Sequence, residues 1–333
     1  MILSVRRIWK EGDVASFGRV EVTLNALIKM SLNRKETVLV GLLTSVVVAF
    51  GCTSSPPPQF DGQRAFANLL NQCRFGPRNP GSVGHREARE YFLDKLSEQT
   101  SFVKVQDFVH LDREEGVELK LSNIIASFNP EKAKRMLLCA HWDTRPFADH
   151  DPDTALWAEP ILGANDGASG VAVLLEIARI ISHNEPLLGV DIVLFDGEDG
   201  GNAGDLEGFC LGSKHFARVK GDYQPEFGIL LDMIGDKDLA LYKEAYSATN
   251  AKELTDSVWS RAREMGLLCF RDSVKYAVYD DHVPLLGAGI RVISLIDFDY
   301  PYWHTTSDTP DKCSPESLQK IGDLLVHILY NGI

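Results

Sequence analysis

Asp280, Asp281 and His282 set two carboxylates and an imidazole side by side in YDDHVPLL, just ahead of an apolar run. Such a group can bind a metal, exchange protons, or cap a turn. Seven further residues of these types follow apolar runs elsewhere: His141 and Asp143 in AHWD, Asp166 in GANDGASG, Glu198 and Asp199 in FDGEDGG, Asp232 in LLDMIG, and His304 in YWHTTSD. A mixed imidazole and carboxylate set suits zinc, which accepts nitrogen and oxygen ligands and can keep one position open for catalysis. Taken singly, Asp143, Asp166 and Asp232 read as turn formers or helix caps, and His141 as a core histidine. Their recurrence at the ends of successive apolar runs would require several independent coincidences. The glycines of GANDGASG allow close backbone approach while Asp166 opens an apolar helix, so its carboxylate can be held rigidly. Glu198 and Asp199 are adjacent and point in different directions, so that one can hold a metal while the other moves a proton.

Bringing residues from such distant segments together requires strands that end at a common edge. The runs RMLLCAHWD, VDIVLFDGED, FGILLDMIGD and IRVISLIDFD predict strands, each ending in a polar cluster, and the alternating FVKVQDFVHL and VELKLSNIIASF predict two more. Helical spacing falls near 60–73, 85–98, 168–182, 208–219 and 249–265, with a last helix after SPESL at 314. This alternation predicts an α/β protein, a three-layer α/β/α sandwich around a mostly parallel, mixed central sheet. In such sheets ligands collect beyond the carboxyl ends of the strands, where the polar clusters lie.

The chain of 333 residues is 44% hydrophobic and 24% charged, a balance that fits one ordinary catalytic domain and excludes general disorder. With 47 acidic against 34 basic side chains and a formal charge of −13, it would repel a phosphate backbone, so nucleic acid is excluded as a partner. From Met30, Arg34 and Lys35 precede a short apolar stretch, Val38 to Phe50, and small residues lead to Cys52. That stretch is too short to span a membrane. VAFGC followed by TSSPPP resembles a bacterial lipoprotein signal, with Cys52 lipidated and the Ser/Pro run serving as a tether. The expected division is therefore 1–29 as a mis-assigned start or an extension, 30–52 as signal, 53–59 as tether, and 60–333 as a single catalytic domain. The expected protein is exported, lipid-anchored to a bacterial membrane on the periplasmic face, in touch with that membrane through the anchor only, and monomeric. Of six cysteines, none forms a CxxC pair, and the five besides Cys52 permit one or two disulfides while leaving at least one thiol unpaired.

From about Phe60 onward, AHWDTRPF, PILGANDGASGVAVLLEIAR, FDGEDGG, LLDMIGD, DDHVPLL and WHTTSDTPD occur in order, and together they resemble the zinc aminopeptidase superfamily that also contains the glutaminyl cyclases. The resemblance implies one of two enzymes. In a two-zinc aminopeptidase, His141, Asp166, Asp199, Asp232 and His304 would all be ligands, Asp166 would bridge, and Glu198 would activate a water. In a cyclase, one zinc would be held by Asp166, Asp199 and His304, while Asp280 would face Asp232. Two close carboxylates resist being charged together, and a shared proton would withdraw Asp232 from metal binding.

Cyclising an N-terminal glutamine uses the substrate's own α-amine, so no metal-activated water is needed. Glu198 would then carry a proton from the amine to departing ammonia, Asp280 and Asp232 would hold the reacting amino group, and Trp303 would wall the substrate pocket. Asp281 and His282 are assigned to a structural turn. HWDTRPFADHDPD is similar to the matching segment of bacterial glutaminyl cyclases that are themselves read as lipoproteins. Asp199 stands where animal cyclases have Glu, and GGNAGDLEGFC lacks the tryptophan that an animal-type pocket carries near this point. The implied activity is a one-zinc glutaminyl-peptide cyclotransferase acting on peptides and proteins with N-terminal Gln. An exported two-zinc aminopeptidase is the alternative.

Overall fold

A computed structural model describes residues 57–333, apart from 113–115, 203 and 205. The signal at 30–52, Cys52 and the first part of the tether lie outside the described residues. Six strands form the central sheet: β1 (Val103–Asp112), β2 (Val117–Phe128), β3 (Arg135–His141), β4 (Gly189–Phe195), β5 (Phe227–Asp232) and β8 (Val292–Ile296). Their order is β1-β2-β4-β3-β5-β8, with β1, β2 and β4 paired antiparallel in turn and β4, β3, β5 and β8 paired parallel. The sheet is therefore mixed and parallel at its centre, as the sequence predicts.

Continuous apolar composition in β3, β4 and β5 reflects burial on both faces. Alternation within a strand decides which core each side chain joins. Met136, Leu138, Ile192 and Leu231 belong to the larger core, which also contains side chains of α1 (Gly62–Cys73), α2 (Val83–Ser97), α3 (Ala168–His183) and α8 (Pro315–Asn331). Leu137, Cys139, Val193 and Leu230 pack on the opposite face with Phe216 of α4 (Leu211–Val219) and Leu285 of α7 (His282–Gly287). Helices thus cover both faces and make three layers. α3 is buried nearly all round, so the loop that precedes it, carrying Asp166, is anchored to the most enclosed helix of the fold.

Two features depart from the expected pattern. The segment near 249–265 is two helices, α5 (Ala245–Asn250) and α6 (Lys252–Glu264), separated at Ala251, which leaves helical geometry at φ −134°. The carboxylate of Glu244 caps α5 by accepting from the backbone N–H groups of Tyr246 and Ser247. A second, two-stranded parallel sheet joins β6 (Leu241–Glu244) to β7 (Phe270–Tyr276). β7 is mostly exposed and its sequence FRDSVKY has no apolar alternation, so the strand gives no periodic signal. The five described cysteines, Cys73, Cys139, Cys210, Cys269 and Cys313, are all unpaired, so none of the disulfides that the sequence permits forms among the described residues. No helix among the described residues is long and apolar enough to cross a membrane.

Candidate active site

β3 ends on His141, β4 runs into Glu198 and Asp199, and β5 ends on Asp232, so three neighbouring strands release polar residues at one edge of the sheet. The loop before α3 adds Asp166, the loop after β7 adds Asp280, and the loop after β8 adds His304. All seven side chains are buried.

Other acids hold these loops in place. Asp143 accepts from the backbone N–H of Glu198 at 3.0 Å and of Asp199 at 3.3 Å, so it shapes the turn that presents those two acids. Asp308 does the same for Asp166, accepting from Asn165 N at 2.9 Å and Asp166 N at 3.1 Å. Gly167 has φ +91°, and an added Cβ there would lie 2.7 Å from the carbonyl oxygen of Asp143. Only glycine suits that approach. His304 and Met233 adopt φ +55° and +46° without being glycine, and backbone of this kind tends to collect at functional sites.

Among the described residues, three groups of ligand atoms could hold a cation. In each, the atoms lie within 4.8 Å of one another: Asp166, Asp199 and His304 form one, His141, Asp166 and Asp232 form another, and Asp149, His150 and His304 form a third, less buried one. Asp166 belongs to the first two. In the first, His304 Nε2 is 3.1 Å from Asp199 Oδ1 and 3.9 Å from Asp166 Oδ2. Asp199 Oδ2 is buried without a hydrogen-bond partner, an oxygen that a cation would satisfy. One imidazole with two carboxylates fits zinc. Arg145 braces this group from outside: it donates to Asp199 Oδ1 at 3.2 Å and to both oxygens of Asp149 at 2.7 Å, and Asp149 lies 3.5 Å from His304 Nδ1. A carboxylate behind a ligating histidine fixes its ring. The sequence motif HWDTRPFADHD contains both bracing residues, but nothing in their types revealed that role.

Burial above all, reinforced by the charge of Asp199, pushes the Glu198 carboxyl well above its usual range. A carboxyl whose charged form is disfavoured in this way holds a proton more readily than a free one, as a proton-transfer group must. Cys210 clasps it: the backbone N–H donates to the Glu198 carbonyl at 2.8 Å and the thiol to Oε1 at 3.3 Å. Cys210 sits at φ +55° at the start of α4, which turns its side chain back toward the acid.

Asp280 lines the same cavity as Glu198 and Asp232. The sequence reading expected Asp280 and Asp232 to share a proton, and no hydrogen bond joins them. Each has its own donors. Asp232 Oδ1 lies 3.2 Å from His141 Nε2, while Asp280 accepts from Ser294 Oγ at 3.1 Å and from the backbone of Asp281. The two acids nevertheless interact through space. Burial pushes Asp232 up to about 7, His141 pulls against it, and the charge of Asp280 adds to the rise. Asp281 and His282 open α7 as expected of a turn, but His282 bonds the carboxylate of Glu244 at 2.8 Å. Glu244 is a partner that sequence reasoning missed, because it arrives from β6, a strand with no clear pattern.

Phe209, Val278, Ile296, Phe298 and Trp303 supply the apolar wall of the cavity. Trp303 is packed with its ring centroid 3.8 Å from that of His304 and 4.8 Å from that of Phe298. Phe209 comes from the loop GGNAGDLEGFC, which lacks the tryptophan of animal-type pockets, and Arg145 stands 5.5 Å over its ring. An aromatic one size smaller than tryptophan occupies this side of the wall.

The geometry can be compared with known proteins. The model of peptidase family M28 matches residues 123–329. A solved structure of glutaminyl cyclase from Tannerella forsythia is 40% identical, covering 82% of this chain and 99% of its own, with a TM-score of 0.79. A solved structure described as a leucine aminopeptidase precursor from Bacteroides thetaiotaomicron is 39% identical, covering 83% and 99%, with a TM-score of 0.80. The glutaminyl-peptide cyclotransferase of Bos taurus is 25% identical over 282 residues, 74% of this chain and 76% of the relative. On a family match that spans more than half of the sequence, and on relatives whose whole length it covers, the chain belongs to peptidase family M28.

Proposed function

We propose that this protein is a zinc-dependent glutaminyl-peptide cyclotransferase, which converts N-terminal glutamine of peptides and proteins to pyroglutamate and releases ammonia. The observation that carries the reading is the carboxylate of Asp280 in one cavity with Glu198, Asp232 and the Asp166, Asp199 and His304 group. A hydrolase needs room and a cation for an attacking water. Here a third acid borders that space, suited to receiving an amino group.

Zinc held by Asp166, Asp199 and His304 would polarise the γ-carbonyl of the substrate glutamine and offset its developing negative charge. The protein's own groups do the rest. The apolar wall formed by Trp303, Phe298 and Phe209 encloses the glutamine side chain and restricts it to folded conformers in which the α-amine approaches the side-chain carbonyl. Glu198 accepts a proton from that amine as the N–C bond forms, then returns it to the amide nitrogen as the old C–N bond breaks and ammonia leaves. Asp280 and Asp232 accept hydrogen bonds from the departing amino group. We take the metal count to be one: His141 then donates between Asp166, 3.1 Å away, and Asp232, 3.2 Å away, and fills the place of a second cation. Export, lipidation at Cys52 and a periplasmic, membrane-anchored position complete the proposal, resting on the lipoprotein-type segment at 30–52. We also take the enzyme to be a monomer.

Incubation of zinc-loaded protein with Gln-2-naphthylamide and Leu-p-nitroanilide tests the reading. Ammonia release without naphthylamine is expected; release of nitroaniline would identify the aminopeptidase instead. Metal analysis is expected to give one tightly bound zinc per chain, and two would contradict the single-cation site.

A further inference from the structure

Asp280 is supported from behind by residues that the reaction itself does not use. His282 is fully buried, and its Nε2 lies 2.8 Å from Glu244 Oε2. Its other nitrogen, Nδ1, has no hydrogen-bond partner and lies 3.7 Å from Asp280 Oδ2. That oxygen accepts from Ser294 Oγ at 3.1 Å; the backbone N–H of Ser294 donates to Ser247 Oγ at 3.1 Å; and the Ser247 hydroxyl donates to Glu244 Oε2 at 2.9 Å. The contacts close into a ring, Glu244, His282, Asp280, Ser294 and Ser247, with all five side chains buried.

A ring of this kind is a costly way to fasten β6 to α7. Burying two carboxylates and an imidazole gives up the solvation of each charge, and an apolar contact would join the same elements without that loss. Glu244 accepts from three backbone N–H groups, a hydroxyl and the imidazole, a set of donors that fits a charged carboxylate. Burial opposes charge on His282, but the carboxylates of Asp280 and Glu244 outweigh it and hold the imidazole up at about 9. With both ring nitrogens protonated, Nε2–H is engaged by Glu244 and Nδ1–H is left facing Asp280. A separation somewhat longer than a hydrogen bond is common at sites that tighten when substrate binds.

We propose that Glu244 and His282 are positioning residues, which orient Asp280 and balance its charge so that it can receive the reacting amino group of the substrate. The inference rests on the cyclotransferase reading and adds to it a carboxylate–imidazole pair behind the substrate-facing acid. The pair touches neither substrate nor metal.

Histidine variants separate positioning from simple fastening. In His282→Asn the amide nitrogen takes roughly the place of Nδ1 and can reach Asp280; in His282→Gln it takes that of Nε2 and can reach Glu244. Positioning predicts that the Asn variant keeps more kcat on a Gln-peptide while the Gln variant keeps the higher Tm. A Glu244→Gln variant, which preserves shape, is expected to lose at least tenfold in kcat, with KM changed less than twofold and zinc content unchanged. If kcat follows Tm across the three variants, or if Glu244→Gln turns over at the wild-type rate, the positioning role is overturned while the cyclotransferase reading stands. A wild-type protein that releases no ammonia from Gln-peptides overturns both.

Discussion

At the scale of single residues, chemistry depends on where each carboxyl holds its proton and what keeps it pointed. Glu198 is enclosed, crowded by Asp199, and clasped by Cys210, so it is both raised in pKa and fixed in direction. Glu198→Gln is expected to lower kcat by about 10²–10⁴-fold while zinc stays bound, since positioned proton transfer contributes about that much. Loss of zinc together with activity would make Glu198 a ligand instead. The thiol of Cys210 is a weak donor, and Cys210→Ala is expected to cost roughly fivefold in kcat, the equivalent of about 1 kcal/mol for one hydrogen bond. Cys210→Ser, with a stronger donor, is expected to restore most of it. Equal rates for the Ala and Ser variants would show that the thiol only fills space. The acids and histidines of this site are visible in the sequence because each lies in a polar cluster bordering an apolar run. Arg145, Asp149 and Cys210 are not, because their roles depend on contacts with side chains far away in the chain.

At the scale of elements, parallel strands gather the site and loops orient it. β3, β4 and β5 announce themselves as continuous apolar runs, and their ends coincide with His141, Glu198 and Asp232. β6, β7 and α7 are short or polar, and pairing and packing with the rest of the fold stabilise them more than local preference does. The Glu244–His282 pair links two of these weak elements, which gives it a measurable pH signature. The folded-state pKa of His282, about 9, lies above its ordinary value of 6.5. Its contribution to stability is therefore fully present below about pH 6.5 and is lost as pH rises through about 9. Thermal unfolding followed from pH 6 to 9.5 is expected to show Tm falling more steeply in the wild type than in His282→Gln. Parallel curves would mean that the imidazole carries no charge in the folded protein.

For the whole molecule, the concentration of acids at one edge is a source of repulsion that a cation relieves. Asp166, Asp199, Asp232, Glu198 and Asp280 border a single cavity, answered nearby by His141, His304 and Arg145. Anything that binds the folded state and not the unfolded one raises Tm by mass action. Zinc added to chelator-treated protein is expected to raise Tm, and Asp199→Ala to abolish most of that rise; an equal rise in the variant would place the metal elsewhere.

The sequence by itself determined the fold class, the strands that carry the site and the residue types that meet there, because apolar periodicity and residues just beyond strand ends are local properties. It also carried the family, through several ordered motifs rather than through any one of them. Tertiary structure alone decided that Asp232 and Asp280 each have separate donors, that His282 answers to Glu244, and that the five described cysteines stay unpaired. Those outcomes depend on which side chains meet across the sheet and between loops, and on the donors and burial found there, which no stretch of chain encodes within its own length.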